Sequence, residues 1–355
     1  LIDFYLKYIS KKIPNVTIPQ SISFKSALAK GKKLAFTPVD VTGQDIAFLQ
    51  YTGGTTGVAK GAMLTHRNLV ANVIQAEAWF NPLLERGREI IITALPLYHI
   101  FSLTANCLFI FKTGGLNVLI TNPRDMSQTI SEMGKFKFTA ITGVNTLFNG
   151  LLKNPAFAEL DFSRLKLSLG GGMAVQQSVA EKWHLLTGVP ILEAYGLTET
   201  SPCAIVNPAT LKEYNGTVGL PVSSTDITIF DDEGNEVGFN QQGELGVKGP
   251  QVMRGYWNNP TETQKVFTAD GWLLTGDIAS VDNQGFVKIL ERKKDMILVS
   301  GFNVYPNEIE DVIARLPGVK EVAIVGVSDE GSGEVVKAFI VKDNPDLTVS
   351  DVLRH

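Results

Sequence analysis

The chain has 355 residues, of which 44% are hydrophobic and 19% charged, and its formal net charge at pH 7 is −4. This composition is typical of a globular protein with a substantial core and argues against intrinsic disorder. The acidic balance gives no support to a nucleic-acid-binding function, because such proteins carry basic surfaces.

Residues 1–13 mix aromatic and aliphatic side chains with lysines, and no signal-peptide pattern is present. This mixture predicts a surface helix that either packs one face on the protein or lies on a membrane surface. The most apolar stretch, residues 100–120, contains Asn106, Lys112 and the pair Gly114-Gly115. We interpret it as buried core, not as a membrane span.

Strand and helix patterns alternate through the first two hundred residues, which predicts an α/β sheet with parallel strands. Several of the strands end at glycine. The predicted elements are strands over 45–51, 89–95, 139–143 and 165–169 and a helix over 66–80.

A different pattern begins at residue 219, where short apolar runs separated by turns predict an antiparallel or barrel-like module up to about residue 290. A small α+β lobe follows the charged run 291–295, with a strand over 296–299 and later strands over 322–327 and 335–341. Its helix is predicted to start at Pro306 and to carry apolar residues at helical spacing, namely Ile309, Val312, Ile313 and Leu316.

Cysteine and histidine are sparse in the sequence. Cys107 and Cys203 are too few for a disulfide framework, and the four histidines are scattered, so no zinc site is indicated. We therefore expect a cytoplasmic protein, with peripheral attachment to the inner face of the membrane left open.

Glycines and threonines followed by a lysine fill the run 51–61, after the first strand. Glycine lets backbone N–H groups approach a phosphate closely, threonine adds hydroxyl donors and lysine adds positive charge. The spacing is not that of a Walker loop. The run predicts an ATP phosphate-binding loop made by Thr52, Gly53, Gly54, Thr55, Thr56, Gly57 and Lys60.

Together with the run Tyr195-Gly196-Leu197-Thr198-Glu199, this loop resembles the signature of the adenylate-forming superfamily, which holds acyl-CoA synthetases, luciferases and peptide-synthetase adenylation domains. The resemblance implies that the Tyr195 ring stacks on adenine, with Gly196 beside it. It also implies that Thr198 lies near the α-phosphate and that Glu199 binds Mg²⁺, a cation that prefers oxygen ligands. Ala59 stands where the family usually has proline.

Two further runs resemble nucleotide-binding segments of the superfamily. In the run 170–173 the resemblance implies that Gly171 and Gly172 lie against the other face of the adenine. In the run 271–277 it implies that Asp277 accepts the two ribose hydroxyls, for which an ionised carboxylate is suited.

The run 291–306 resembles the segment that joins the two domains of the superfamily. The resemblance implies that Arg292 touches the ribose and that Lys294 is the hinge about which the small lobe rotates. It also implies that Gly301 and Phe302 line the path of the CoA pantetheine. The expected domains are a large ATP- and acyl-binding domain over 1–293 and a small lobe over 294–355.

The resemblance covers essentially the whole chain, and residues 45–69, 141–148 and 293–312 look especially like bacterial long-chain-fatty-acid–CoA ligases. It implies an acyl pocket made by Tyr98, His99, Phe101, Gly143 and Val144. No acidic residue occurs from Ile90 through Pro123, whereas amino-acid-activating relatives need one to hold the substrate ammonium. An apolar pocket favours a fatty acid. For His99, a structural core histidine remains the alternative.

The implied reaction uses ATP, Mg²⁺ and coenzyme A. The fatty carboxylate attacks the α-phosphate and pyrophosphate leaves; the small lobe then rotates, and the CoA thiol displaces AMP. Two alternatives stay open: an acyl- or aryl-AMP ligase without CoA transfer, and a catalytically impaired nucleotide- or lipid-binding fragment. A homodimer is also left open.

Relatives carry a long stretch before the first loop and a C-terminal lysine that contacts the substrate during adenylation. This sequence begins at Leu1 and ends at His355. We therefore expect a chain truncated at both ends and impaired in the adenylation step.

Overall fold

The computed structural model describes residues 5–10, 18–52, 59–300, 302–329 and 332–355. The chain divides into two compact units, Leu1–Thr42 and Gly43–His355. The first unit holds a short helical turn, Tyr5–Ile9, and helix α1, Phe24–Gly31. No described residue of either element is buried, so the buried face expected for the opening helix is not found among residues 5–9.

The second unit begins with an antiparallel pair, β1 (Ile46–Thr52) and β2 (Lys60–Thr65). Helix α2, His66–Phe80, follows directly, as predicted. Thr65 starts this helix because its hydroxyl accepts the N–H of Asn68 while the Asn68 side chain accepts the N–H of Thr65.

A seven-stranded sheet forms the centre of the second unit, with strand order β4-β3-β5-β6-β7-β8-β9. The first five strands in that order are parallel to their neighbours, and the last two are antiparallel. The predicted parallel α/β sheet is confirmed for the strands expected over 89–95, 139–143 and 165–169, whereas the strand expected over 45–51 lies outside it in the antiparallel β1–β2 pair. The strands are β3 Ile90–Thr93, β4 Leu116–Leu119, β5 Ala140–Gly143, β6 Leu167–Gly171, β7 Ile191–Gly196, β8 Cys203–Val206 and β9 Leu220–Pro221.

Helices cover both faces of this sheet. The stretch 100–120 is helical over residues 100–113 and then enters β4, and Ile100, Phe109 and Ile110 are buried in it, as predicted. In the described part of the chain, no helix is both long enough and apolar enough to span a bilayer. The helices are α3 Ile100–Ser102 with its wider-turned continuation Leu103–Leu108, α4 Phe109–Thr113, α5 Met126–Met133, α6 Asn145–Leu152 and α7 Gln177–Thr187.

Successive residues of the central strands point to opposite faces, so the sheet separates two apolar cores. On one face the rings of Phe148 and Phe157 pack on Trp183, with ring centroids 4.8 and 5.2 Å from it. The buried indole N–H of Trp183 donates to the Ser168 hydroxyl at 3.0 Å. On the other face, α2 and the helix after residue 100 pack on residues that include Leu169.

An antiparallel four-stranded sheet, β10-β11-β12-β13, follows in the chain and confirms the change of pattern predicted from residue 219. A β-bridge between Gly219 and Val287 links the two sheets, because Gly219 directly precedes β9 of the central sheet and Val287 lies in the last strand of the antiparallel sheet. The strands are β10 Asp226–Phe230, β11 Gln242–Lys248, β12 Leu273–Val281 and β13 Val287–Arg292, with helix α8 Pro260–Val266 between β11 and β12.

The last part of the chain forms an antiparallel sheet of order β15-β14-β17-β16 with helix α9 packed on it. Helix α9 begins at Pro306, as predicted, but ends at Ala314, and Leu316 lies beyond it in a turn closed by a hydrogen bond from the Val319 N–H to the Leu316 carbonyl. The elements are β14 Ile297–Val299, β15 Phe302–Val304, α9 Pro306–Ala314, β16 Val319–Asp329, β17 Gly333–Lys342 and α10 Val349–Arg354.

Removal of the Trp183 ring tests the aromatic core. Trp183 is fully buried among other rings, so Trp183→Ala should lower the free energy of unfolding by about 3–5 kcal/mol. Leu185 lies on the same helix and is 89% exposed, so Leu185→Ala should change it by less than about 0.5 kcal/mol. Urea unfolding measures both, and equal losses would contradict the assigned packing.

Candidate functional site

The carboxyl ends of the parallel strands β5, β6 and β7 meet at one edge of the central sheet, where α/β proteins bind ligands. A cavity of 660 Å³ opens there. It brings together residues that lie far apart in the sequence. The residues selected from sequence that line it are Thr52, Lys60, His99, Phe101, Gly171, Gly172, Tyr195, Gly196, Thr198, Glu199, Arg292 and Lys294.

A second cavity of 420 Å³ adjoins the first and contains Asp277. Both cavities are lined by Gly172, Tyr195, Gly196 and Arg292. The residues expected from the sequence to bind the nucleotide are therefore divided between two cavities that share Tyr195 in their lining.

Four other residues selected from sequence line neither cavity. Tyr98 is 80% exposed, and Phe302 is 76% exposed on the edge strand β15. Gly143 is surrounded by Leu147 and Phe148, since a Cβ placed there would lie 3.0–3.1 Å from both. Val144 lies next to Gly172. Gly53, Gly54, Thr55, Thr56, Gly57 and Gly301 lie outside the described residues.

The charged end of the larger cavity centres on Lys60 and Glu199. The Lys60 ammonium lies 2.8 Å from a carboxylate oxygen of Glu262 and 5.0 Å from the ring centroid of Tyr256. The Tyr256 hydroxyl donates to Glu199 Oε1 at 2.6 Å. Glu262 also pairs with Lys265 at 2.6 Å, and the two lysines hold its pKa at about 2.

A buried polar cluster surrounds Asp277, which is 3% exposed and lines the smaller cavity. The Tyr195 hydroxyl donates to Asp277 Oδ2 at 2.5 Å, and Arg292 Nε pairs with Oδ1 at 3.0 Å. Asp277 and Arg292 are cross-strand partners on β12 and β13, which fixes their pairing. Burial raises the pKa of Asp277, whereas the Arg292 charge and the tyrosine hydrogen bond lower it.

Glycine is required at two positions of the motifs for steric reasons. A Cβ at Gly196 would overlap the carbonyl of Pro202, because the backbone turns back on itself after β7. Gly172 has φ +79°, a left-handed conformation that favours glycine. These two positions keep the backbone close to the cavities.

The apolar end of the larger cavity lies between α2 and the helical stretch after residue 100. Asn72, Ala76 and Phe80 line it from α2 at spacings of four residues, which places them on one helix face. His99 lines the cavity as well; its Nδ1 accepts the N–H of Phe101 at 3.2 Å, and loss of solvation lowers its pKa. The other residues of this end include Ile100, Phe101, Ala105, Leu169 and Val206.

The sequence motifs did not indicate Tyr256, Glu262 or the face of α2 that lines the larger cavity. Tyr256 and Glu262 lie about two hundred residues after Lys60, and no local pattern marks them. The four-residue spacing of Asn72, Ala76 and Phe80 was available in the sequence, but helical spacing alone does not separate a pocket wall from core.

The residues at the charged end fit a magnesium ion that arrives with a nucleotide. Within the described residues, no group of three or more His, Cys, Asp or Glu side chains could hold a metal by itself. Mg²⁺ is usually bound through one or two carboxylates and the phosphates of the substrate, and Glu199 supplies a carboxylate beside Lys60.

A buried carboxyl group, Glu193, lines the smaller cavity. It is 7% exposed, and its Oε2 accepts the N–H of Val175 at 3.0 Å. Burial, opposed by the Val175 hydrogen bond and assisted by the nearby charge of Asp311, raises the pKa of Glu193 from 4.5 to about 7. The group therefore titrates near neutral pH in the folded protein.

Comparison with known proteins gives a consistent result over the whole chain. Residues 9–257 match the sequence model of AMP-binding enzymes, and residues 308–355 match that of the AMP-binding enzyme C-terminal domain. The long-chain-fatty-acid–CoA ligase of Yersinia pestis is 57% identical over 355 residues, which is 100% of this chain and 63% of that protein. The enzyme of the same name from Bacillus subtilis is 41% identical over 84% of this chain and 53% of its own length.

Solved structures of similar fold include ATP-bound MatB from Rhodopseudomonas palustris. It has a TM-score of 0.85 and 32% identity, over 93% of this chain and 65% of that one. O-succinylbenzoate-CoA synthetase from Bacillus subtilis, in complex with its acyl-adenylate intermediate, has a TM-score of 0.78 and 28% identity, over 92% and 67% of the two chains. The chain thus spans less than two thirds of the length of the Yersinia and Bacillus ligases, at 63% and 53%.

Replacement of Glu193 by glutamine tests its shifted pKa. In the unfolded chain the group titrates near 4.5 and in the folded chain near 7, so its stabilising contribution is complete below pH 4.5 and is lost as the pH rises through 7. The shift corresponds to a loss of up to about 3 kcal/mol in the free energy of unfolding.

Glu193→Gln, which can still accept the Val175 N–H, should therefore gain stability relative to the parent chain as the pH rises from 5 to 8. Glu181 is exposed on α7, and Glu181→Gln should leave the pH profile unchanged. Urea unfolding across this pH range measures the difference. Parallel profiles for Glu193→Gln and the parent chain would show that Glu193 has an ordinary pKa.

Proposed function

This chain belongs to the AMP-binding enzyme family, and from that premise we propose that it binds ATP and a long-chain fatty acid, joins them as an acyl-adenylate and transfers the acyl group to coenzyme A. One observation carries the proposal: a single cavity joins a charged end, with Lys60 and Glu199, to an apolar end lined by Phe80 and Phe101. The names of the relatives support the choice of acid and of coenzyme A as acceptor.

The nucleotide would lie across the two cavities. Asp277 would offer buried carboxylate oxygens to the ribose hydroxyls beside Arg292, and the adenine would lie between Gly172 and Tyr195, which line both cavities. The phosphates would then extend toward Thr198 and Lys60. Residues Thr52 and 53–57 belong to the same proposed phosphate site on sequence grounds.

Lys60 and Glu199 would have different electrostatic roles, because Lys60 would bind phosphate oxygens and Glu199 would bind the metal ion. Lys60 would exchange the Glu262 carboxylate, 2.8 Å away, for phosphate oxygens when ATP enters. Glu199 would hold Mg²⁺, and the ion, when bound, neutralises phosphate charge. The protein's own residues would bind and orient the phosphates so that the α-phosphorus faces the apolar end of the larger cavity, which we call the apolar chamber.

The proposed chemistry needs no covalent enzyme nucleophile. A carboxylate oxygen of the fatty acid forms a bond to the α-phosphorus, and the bond to pyrophosphate breaks. The CoA sulfur then bonds to the acyl carbon while the bond to AMP breaks and the thiol proton is released. The chain contributes positioning and charge complementarity, which can lower such barriers substantially.

The apolar chamber supports a fatty acid as the substrate. Its wall is made by α2 and the helical stretch after residue 100, and no described residue that lines the cavity from these two helical segments is acidic, so none there would hold a substrate ammonium. Each methylene buried there contributes about 0.8 kcal/mol, so affinity should rise with chain length until the chamber is filled.

The boundary between the two domains is proposed at Lys294. β13 ends at Arg292 and β14 begins at Ile297, with a hydrogen-bonded turn between them. Polar contacts join the two sides in this orientation: Glu291 accepts the N–H of Asn307 at 3.0 Å, and the Tyr305 hydroxyl donates to Gln242 at 2.9 Å. Rotation about Lys294 would break them and bring the Gly301–Phe302 segment to the acyl group.

Attachment to a membrane and a homodimer stay predictions of the sequence. The nucleotide and acyl sites are proposed independently of both.

Binding of acyl-adenylate analogues tests the proposal. Thermal unfolding is measured with non-hydrolysable acetyl, octanoyl, palmitoyl and aryl adenylates; a ligand at one hundred times its Kd adds about 2.7 kcal/mol of stability. Palmitoyl-adenylate should stabilise most. Asp277→Ala should abolish the effect, whereas Asp226→Ala, which removes an exposed carboxylate on β10, should retain it.

Three outcomes would contradict parts of the proposal. If no adenylate stabilises the chain, the nucleotide site is wrong. If acetyl or aryl adenylates stabilise as well as palmitoyl-adenylate, the fatty-acid assignment is wrong. If incubation with ATP, palmitate and CoA yields palmitoyl-AMP but no palmitoyl-CoA, the chain is an acyl-AMP ligase without CoA transfer.

A further inference from the structure

Tyr256 contacts both Lys60 and Glu199 at the charged end of the larger cavity, which we call the phosphate end. The side chain is 6% exposed. Its hydroxyl donates to Glu199 Oε1 at 2.6 Å, and its ring lies 5.0 Å from the Lys60 ammonium.

A short strap, residues 253–257, holds Tyr256 in place. The N–H of Met253 donates to the Glu199 carbonyl at 2.7 Å, and the N–H of Trp257 donates to the Gly61 carbonyl at 2.8 Å. The N–H of Tyr256 itself donates to the Thr263 hydroxyl at 2.9 Å. The strap therefore ties the turn that carries Glu199 to the strand that begins at Lys60.

We propose that Tyr256 is a positioning residue for the two charged groups of this site. Its hydroxyl would orient the magnesium-binding carboxylate of Glu199, and its ring would hold the phosphate-binding ammonium of Lys60 in place. The inference rests on the proposed function of the cavity. It assigns Tyr256 no contact with the reacting atoms; the residue acts through Glu199 and Lys60.

The two contacts suit these tasks for different reasons. A hydrogen bond to Oε1 orients the Glu199 carboxylate and is compatible with a cation at Oε2; partners of this kind commonly set metal affinity. The ring attracts the Lys60 ammonium without using its N–H donors. Lys60 can therefore exchange Glu262 for phosphate while it stays over the ring, which keeps the ammonium near its place in both states.

Calorimetric titration separates the two roles. The parent chain and its variants are titrated with α,β-methylene-ATP at a series of Mg²⁺ concentrations and without Mg²⁺, and with AMP in the absence of metal. Tyr256→Phe removes only the hydroxyl, and Tyr256→Leu removes the ring as well. Tyr5→Phe is the control, because it removes the hydroxyl of an exposed tyrosine that lines neither cavity.

Tyr256→Phe should raise the Mg²⁺ concentration for half-maximal binding of the ATP analogue by about tenfold or more. Its affinity for AMP should stay within about twofold of the parent chain, since AMP depends on the Asp277 cluster. Tyr256→Leu should in addition weaken metal-free binding of the ATP analogue by about threefold to tenfold. Tyr5→Phe should match the parent chain throughout.

Two results would overturn the inference while the proposed function stands: an unchanged Mg²⁺ dependence in Tyr256→Phe, or an equal loss of AMP affinity, which would show a merely structural role. A parent chain that binds neither nucleotide would overturn the proposed function and this inference together.

Discussion

The buried carboxylate of Asp277 makes the interaction on which the arrangement of the site depends. It accepts the hydroxyl of Tyr195, from the last parallel strand of the central sheet, and pairs with Arg292 on the neighbouring strand of the antiparallel sheet. A buried carboxylate without partners is strongly destabilising, so the two sheets are held where all three groups meet. Both cavities open at this junction, and their shared wall is the segment that carries Tyr195.

The phosphate end repeats the same principle with different partners. Glu199 and Lys60 come from separate motifs, and a residue from a third segment, Tyr256, touches both. In each cluster a tyrosine hydroxyl donates to a carboxylate, and a cation balances the charge nearby. The polar groups that would face a nucleotide are thus oriented by buried neighbours before any ligand arrives, which is the condition for electrostatic catalysis.

The sequence predicted those features that depend on local patterns. The helix predicted over 66–80 is found at those bounds, and the change to antiparallel strands predicted after residue 219 is found as well. The extent of α9 was predicted less well: Leu316 continues the apolar spacing, but the chain turns after Ala314.

Tyr98 and Gly143 were selected for the acyl pocket by resemblance, yet Tyr98 is exposed and Gly143 is enclosed by Leu147 and Phe148. Tyr256 and Glu262 could not be predicted, because their roles arise from contacts across about two hundred residues of sequence.

A crystal structure of the chain with a palmitoyl-adenylate analogue would test the central claim most directly. We expect the ribose hydroxyls within hydrogen-bonding distance of Asp277, the adenine between Gly172 and Tyr195, and the acyl chain between α2 and the helical stretch after residue 100. A nucleotide bound away from Asp277, or an acyl chain that runs over the surface instead of into the chamber beside Phe80 and Phe101, would contradict the proposed site.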